Sequence, residues 1–260
     1  MMRPLANLLF PPKCVACGSL LPFLGFGVPA PKPLCADCGA RWQQSLLEPC
    51  ECCGRAVSDC VCMTEEMKTA KCLEFRKLVY YLHGTRNSVQ NRMIYRIKDA
   101  PARAAVDFLT EELERVARAC MKEHRIEPDE AVIIYLPRSR RAMLDRGTDQ
   151  GRQLARGLAN RLGAELLPIV RRTRRGGKAQ KHLTLVERRK NARALFSLRR
   201  AVELSGRAVF LVDDIVTTGV SMATVARLLR KQGAREIYCF AVASDDTNKT
   251  PNLAQPTHQI

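Results

Sequence analysis

The 260-residue sequence has few aromatic side chains, a single tryptophan and no long apolar run. A membrane-spanning helix needs about 20 mainly apolar residues, whereas the apolar stretch from Leu20 to Val28 is broken by Pro22, Gly25 and Gly27. The short patch Leu8-Leu9-Phe10 is followed by prolines and cysteines, where a signal peptide would need a longer apolar segment. We therefore predict a cytoplasmic protein with no membrane insertion.

Acidic residues are scarce in one part of the chain. The sequence has 43 Lys and Arg against 26 Asp and Glu, a net charge of +17, and residues 138–200 hold 19 basic but only 4 acidic side chains. Such a concentrated positive field attracts phosphate, on a small metabolite or on nucleic acid. The alternative is a solvated basic face that only keeps the protein soluble. With 46% apolar residues the chain is not a mainly disordered, collagen-like or coiled-coil protein.

Cysteine is abundant near the N-terminus, where nine of the twelve cysteines lie between positions 14 and 62. Pairs of thiolates two residues apart can both reach one Zn²⁺, and two such pairs complete a tetrahedron. The spacing predicts a small, double zinc ribbon over residues 1–65. Its expected ligands form a first set, Cys14, Cys17, Cys35 and Cys38, and a second set, Cys50, Cys53, Cys60 and Cys62.

Alternatives remain open for both cysteine sets. The first set could be a redox dithiol or a catalytic metal site, although four thiolates leave no coordination position for a substrate. In the second set Cys52 could replace a neighbour, so that one or two zinc ions are expected, and the pairs could interleave. Because no export signal is present, metal binding is favoured over disulfides. Cys72, Cys120 and Cys239 lie at apolar positions and are predicted core residues.

The rest of the chain alternates apolar strands with amphipathic helices. We predict strands over residues 73–81, with an interruption at Lys77, and over 131–136, 165–170, 208–212 and 236–243. Helices are predicted over residues 103–123 and around two apolar stripes, Leu154, Leu158 and Leu162 and then Met222, Val225, Ala226 and Leu229. This order predicts an α/β domain over residues 72–243, a mainly parallel sheet with helices on both faces. Residues 244–260 are a predicted disordered tail.

One loop combines an acidic pair with hydroxyl residues and a glycine. It follows the apolar run Val209–Val212 and reads Asp213-Asp214-Ile215-Val216-Thr217-Thr218-Gly219-Val220-Ser221. Amides at a helix start, with nearby hydroxyls, can bind a phosphate, and the helix dipole favours the anion. Two carboxylates a few residues earlier suit the hydroxyls of a ribose. The alternative is an acidic pair that only caps a helix.

This loop resembles the phosphoribosyl pyrophosphate signature of type I phosphoribosyltransferases at every position. The flanking sequence is similar to the ComF family of competence-associated proteins, which join a zinc ribbon to a phosphoribosyltransferase domain. The similarity is carried by Leu8-Leu9-Phe10-Pro11 before Cys14, by Arg146-Gly147 with Gln150, and by Gln180, Leu183, Arg188, Asn191 and Phe196 at the family's spacing.

The resemblance implies roles for particular residues. Asp213 and Asp214 would be the catalytic pair that holds the ribose hydroxyls, and Mg²⁺ would bridge pyrophosphate and ribose oxygens. The loop after Leu136 would bind pyrophosphate, and residues 174–191 would form a mobile loop over the site. The implied substrate-binding residues are Pro137, Arg138, Val216, Thr217, Thr218, Gly219, Val220 and Ser221.

The sequence departs from the family pattern at two places. Arg146-Gly147-Thr148-Asp149-Gln150 stands where relatives have Arg-Gly-Phe-Asn-Gln, and Tyr135 replaces a proline before the pyrophosphate loop. Two hypotheses follow from the resemblance. One is a phosphoribosyltransferase-like protein of DNA uptake, or of nucleobase salvage, that binds phosphoribosyl pyrophosphate. The other is a non-catalytic protein that binds single-stranded DNA through residues 138–200 and works with other competence proteins.

Overall fold

The computed structural model describes residues 11–22, 33–99, 103–139, 143–144, 147–173 and 195–245. Its helices are α1 (Ala36–Leu46), α2 (Glu65–Thr69), α3 (Val89–Asp99), α4 (Arg103–His124), α5 (Gln150–Leu162) and α6 (Val220–Arg230). Its strands are β1 (Glu74–Tyr81), β2 (Ala131–Tyr135), β3 (Glu165–Leu166), β4 (Val170–Arg172), β5 (Phe196–Leu198), β6 (Ala208–Val216) and β7 (Glu236–Asp245). None of the helices described is both long and apolar enough to cross a bilayer.

Five strands form one parallel sheet in the order β1-β7-β6-β2-β3, and β4 and β5 form a separate antiparallel pair. Alternate residues of β6 point to opposite faces, so that Phe210 belongs to one core and Val209 and Leu211 to the other. Helices α3, α4 and α5 cover the first face, and α6 covers the second. The predicted α/β fold, a parallel sheet with helices on both faces, is confirmed.

The strand predictions need three corrections. Lys77 does not interrupt β1, because its side chain is buried and its ammonium group contacts a cysteine. The segment 165–170 is not one strand, since Pro168 lies between β3 and β4 and has no backbone N–H to donate. Strand β7 continues to Asp245, which pairs with Tyr81, and therefore extends past residue 243. Residues 246–260 of the predicted tail lie outside the described part of the chain.

The two cysteine sets lie against different parts of the sheet domain. The segment that carries the first set belongs to the core of the first face, where Trp42 is fully buried and meets Phe108 of α4 edge-on at 5.3 Å. The segment after the second set leads to Met67, which is buried in the core of the opposite face together with α6. The N-terminal module therefore reaches both faces of the sheet.

Candidate functional site

The acidic pair lies at the carboxyl end of β6, beside the end of β2. Register brings the two strand ends together, because Tyr135 pairs with Val212 and the Leu136 N–H donates to the Val212 carbonyl at 3.1 Å. Arg138 Nη2 consequently lies 3.2 Å from Asp214 Oδ2. Parallel sheets bind ligands beyond their carboxyl ends, and the predicted pyrophosphate loop and acidic pair meet there.

The two carboxyl groups of the pair have different environments. The pKa of Asp213 is raised well above its usual range by burial and then by the neighbouring Asp214. Asp214 is held by cations: Lys98 Nζ lies 3.7 Å from its Oδ2, in addition to the Arg138 contact. The pair can therefore offer the oxygen atoms of two carboxyl groups in different environments to a polyhydroxylated ligand.

The hydroxyl-and-glycine turn leads directly into α6. Gly219 precedes the helix with a φ of 74°, a conformation that L side chains rarely adopt. A hollow of about 50 Å³ is lined by Asp213 and residues 215–222, with Thr217 and Thr218 exposed. Helix α6 is 11 residues long, so its first amides and its dipole are available to an anion in this hollow. The hollow has the size of a single phosphate group, and we call it the phosphate hollow.

Gly219 is also approached from behind by the segment 64–71, which we call the connector. A Cβ at Gly219 would collide with Thr64 Oγ1 and lie 3.3 Å from Met67 Cγ. At the other end of α6, Arg230 Nε donates to the Ala70 carbonyl at 3.2 Å, and the same guanidinium contacts the Lys71 carbonyl. The connector therefore contacts both ends of the helix that carries the phosphate hollow.

Asp149 is a third carboxylate of the site that sequence reasoning did not select. Its Oδ2 accepts from the Arg138 N–H at 3.3 Å, and its Oδ1 accepts from the Arg152 N–H at 3.2 Å, which caps α5. Burial raises its pKa. The only signal was its place in the family motif, where a charge replaces an amide.

Lys98 was missed because α3 was not predicted. The apolar residues Val89, Met93 and Ile97 recur every four positions and are buried, a pattern that could have revealed the helix. Conversely, the predicted mobile loop at residues 174–191 lies outside the residues described, as do Arg146 and residues 140–142.

The structure brings the first cysteine set together. Its four sulfur atoms lie within 4.8 Å of one another, and the Cys17 and Cys35 sulfurs are 3.7 Å apart. A tetrahedral site with Zn–S bonds of about 2.3 Å has sulfur–sulfur edges of about 3.8 Å, so the spacing fits zinc. The Ser19 hydroxyl and backbone lower the pKa of Cys17 to about 6, whereas burial and the neighbouring thiols raise the pKa of Cys38.

The second set also forms a tetrad, with all four sulfurs within 4.8 Å. The pairs are sequential, and Cys52 is exposed and not part of the group. Lys77 Nζ of β1 lies 3.2 Å from Cys60 Sγ, and both side chains are buried. An ammonium group at this position offsets the negative charge of a zinc ion with four thiolates. The donor set therefore fits zinc here too.

A third group, Glu74, Cys120 and His124, has ligand-type atoms within 4.8 Å of one another. Arg76, however, donates to Glu74 Oε2 at 2.7 Å, and His124 Nε2 lies 2.6 Å from Glu74 Oε1. Burial raises the pKa of Cys120 to about 12, which keeps its thiol protonated. The group is thus a neutralised ion-pair network of the core, with no charge left for a metal.

Comparison with known proteins agrees with this geometry. Residues 148–257 match the phosphoribosyl transferase domain family. The chain is 32% identical over 127 residues to competence protein F of Haemophilus influenzae, a match that covers 48% of this chain and 55% of that protein. The ComF-family resemblance is confirmed. DNA utilization protein YhgH of Salmonella typhi is also 32% identical, over 114 residues, a match that covers 42% of this chain and 48% of that protein.

The chain thus spans about half the length of these curated relatives in its matches. Adenine phosphoribosyltransferase of Mycobacterium marinum is 34% identical over 88 residues, which cover 33% of this chain and 46% of that enzyme. Among solved structures, purine phosphoribosyltransferase from Pyrococcus horikoshii Ot3 has 18% identity and a TM-score of 0.33, covering 59% of this chain and 95% of that one.

Proposed function

We propose that the protein binds phosphoribosyl pyrophosphate, or a related phosphorylated ribose, with Mg²⁺ at the carboxyl ends of β6 and β2. The observation that carries this proposal is the contact of Arg138 and Lys98 with Asp214. This contact lies at the same end of β6 as the phosphate hollow. Cations bind the pyrophosphate of such a ligand, and carboxylates accept hydrogen bonds from its ribose hydroxyls. The start of a helix binds its 5-phosphate.

In this proposal the 5-phosphate occupies the hollow formed by Val216 to Ser221, where amides and hydroxyls bind it. The ribose hydroxyls donate to Asp213 and Asp214. That contact replaces part of the attraction between Asp214 and its two cations, so Arg138 and Lys98 become available to the pyrophosphate, beside Pro137. Asp149 keeps the Arg138 amide in place through its hydrogen bond.

The residues present fit Mg²⁺, which prefers one or two carboxylates together with substrate phosphates. Asp213 and Asp214 provide such carboxylates, with Asp149 near Arg138. When bound, the ion would neutralise charge on the pyrophosphate as it leaves. The role of this chain in a transfer reaction is to orient the ribose, to hold the leaving group between cations and to exclude water.

Isothermal titration with phosphoribosyl pyrophosphate and Mg²⁺ tests this site. Wild-type protein should bind, and Asp214→Asn should weaken binding by at least about tenfold, since it removes a charged hydrogen-bond acceptor. Glu165→Gln, an exposed carboxylate on β3 away from the site, is the matched control and should bind normally. Equal affinity of wild type and Asp214→Asn would contradict the assignment. Pyrophosphate release over a panel of nucleobases and amines then tests transfer.

A role in DNA uptake is the second candidate. It is favoured by the names of two relatives, competence protein F and DNA utilization protein YhgH, and by the charge of residues 138–200. Here the protein, together with other competence proteins in the cytoplasm, binds single-stranded DNA electrostatically, without turnover. Binding should fall steeply as salt rises, with a log-log slope of several units. A flat salt response would contradict it.

A further inference from the structure

A large hollow of the described surface lies away from β6, between the first cysteine tetrad and α3. Its volume is about 510 Å³, within the range of small-molecule sites. We call it the arginine cleft, and it is lined by Cys17 of the first tetrad, by Arg86 and Asn87 of the loop before α3, and by Arg92, Tyr95 and Arg96 of α3. No function described above uses the polar residues of the loop before α3 or of α3 that line it.

The charge of the arginine cleft is of one sign. Its lining holds three guanidinium groups, and no acidic side chain of the described residues lines it. Within that same part of the chain, Arg86, Arg92 and Arg96 form no ion pair with a carboxylate, in contrast to the arginines of α4, such as Arg103 and Arg118. Three like charges around one hollow repel one another unless an anion neutralises them.

The polar groups of the cleft are partly ordered before any ligand binds. The Arg86 guanidinium lies 5.9 Å from the centre of the Tyr95 ring, and the Tyr95 hydroxyl is 2.7 Å from that of Tyr81. Arg92 Nη2 reaches the Asn87 amide oxygen at 3.5 Å, a weak contact that a stronger acceptor would replace. A guanidinium fork binds phosphate oxygens in a bidentate manner.

We infer that the arginine cleft binds the di- or triphosphate group of a nucleotide, with the exposed Asn87 amide facing the rest of the ligand. Three converging arginines match two or three adjacent phosphates, and the hollow has the size of one nucleotide rather than the length of a strand. The arginine cleft is separate from the phosphate hollow at β6, and the inference does not depend on the proposed function.

The competing explanation is that the arginines only offset the thiolates of the first tetrad. A zinc ion with four thiolates carries a net charge of −2, and Cys17 borders the cleft. In that case the arginines would affect zinc retention and would bind no nucleotide. The two explanations predict different measurements on the same variants.

The test uses full-length, zinc-loaded protein with ATP, inorganic tripolyphosphate and a short thymidine oligonucleotide as probes. The double variant Arg92→Gln/Arg96→Gln should bind ATP and tripolyphosphate at least about tenfold more weakly than wild type. The matched control, Arg103→Gln/Lys122→Gln, removes the same charge from the exposed surface of α4 and should bind them normally.

Circular dichroism and thermal unfolding verify that each variant is folded. If the double variant does not fold, Arg86→Gln in the exposed loop replaces it and should also weaken binding. The inference is overturned if wild type binds neither ATP nor tripolyphosphate, or if both double variants lose binding equally. It is also overturned if the cleft variant loses only zinc, or if the oligonucleotide alone binds.

Discussion

The two cysteine tetrads share ligand type and spacing but differ in how they join the sheet domain. The second tetrad contacts β1 through the buried Lys77 and continues into the connector, which reaches Gly219 and the far end of α6. The first tetrad packs beside α3 and α4 and borders the arginine cleft, with Cys17 exposed. The difference indicates that the second tetrad supports the phosphate hollow, whereas the first forms one wall of a separate site.

The largest expected effect is that of Cys60→Ser. In the zinc-loaded protein it would leave the buried Lys77 ammonium without the Cys60 sulfur that it contacts, and removing one member of a buried charged pair costs about 3–5 kcal/mol. Cys17→Ser, in the exposed part of the first tetrad, should cost much less. Urea unfolding of both variants measures the difference. In a Cys60→Ser background, Lys77→Met should restore part of the stability; equal losses in the two tetrads would contradict the comparison.

Gly219→Ala tests the contact between the connector and the phosphate hollow. The positive φ alone costs about 1–2 kcal/mol for a non-glycine residue, and the new Cβ would also press on Thr64. We expect lower stability and weaker phosphoribosyl pyrophosphate binding, measured by thermal unfolding and calorimetry. Gly163→Ala, at a φ of 71° with no atom nearby, is the control for backbone strain alone and should keep its ligand affinity. Unchanged ligand affinity in Gly219→Ala would show that the contact between the connector and Gly219 does not affect ligand binding.

Thiol reactivity in the chelator-treated protein sharpens the comparison further. The pKa of Cys17 is lowered to about 6, and hydrogen bonds from Tyr80 and the Cys53 backbone, opposed by burial, lower that of Cys50 to about 6 as well. Both are thiolates at neutral pH, but Cys17 is exposed and Cys50 is buried. Brief treatment with iodoacetamide followed by mass spectrometry should label Cys17 at least about tenfold faster. Faster labelling of Cys50 would contradict this expectation, because it would show that the second tetrad becomes accessible to solvent before the first.

The smallest effect concerns the acidic pair, which neither tetrad contacts. Because the folded pKa of Asp213 is raised, its contribution to stability is present at low pH and is lost as the pH rises from about 4 through the raised value. Asp213→Asn removes this loss and should stabilise the ligand-free protein at neutral pH, on the order of 1 kcal/mol. The gain should vanish below the ordinary Asp pKa. Thermal unfolding across pH measures it, and a gain that is constant with pH would contradict the assignment.

The sequence predicted the features that depend on local pattern. Continuous apolar strands, the cysteine spacing and the loop from Asp213 to Ser221 each have a short-range signal, and the structure brings their residues together as expected. Lys77 was misread because a charged residue in a strand pattern suggests a break, and only the tertiary structure supplies Cys60 as its partner. The contacts of Asp149 and Lys98 also join segments far apart in the chain, which no single-sequence pattern reveals.

The connector has a practical consequence for dividing the molecule into parts. A fragment cut at Cys72, where the phosphoribosyl transferase part would start by its strands, loses Thr64 and Met67 behind Gly219 and the carbonyl groups that Arg230 reaches. Such a fragment would expose the buried side of α6 to water and free the helix to shift along the sheet. The boundary that preserves these contacts therefore lies before Thr64, and the connector belongs, in energetic terms, with α6 and the sheet domain.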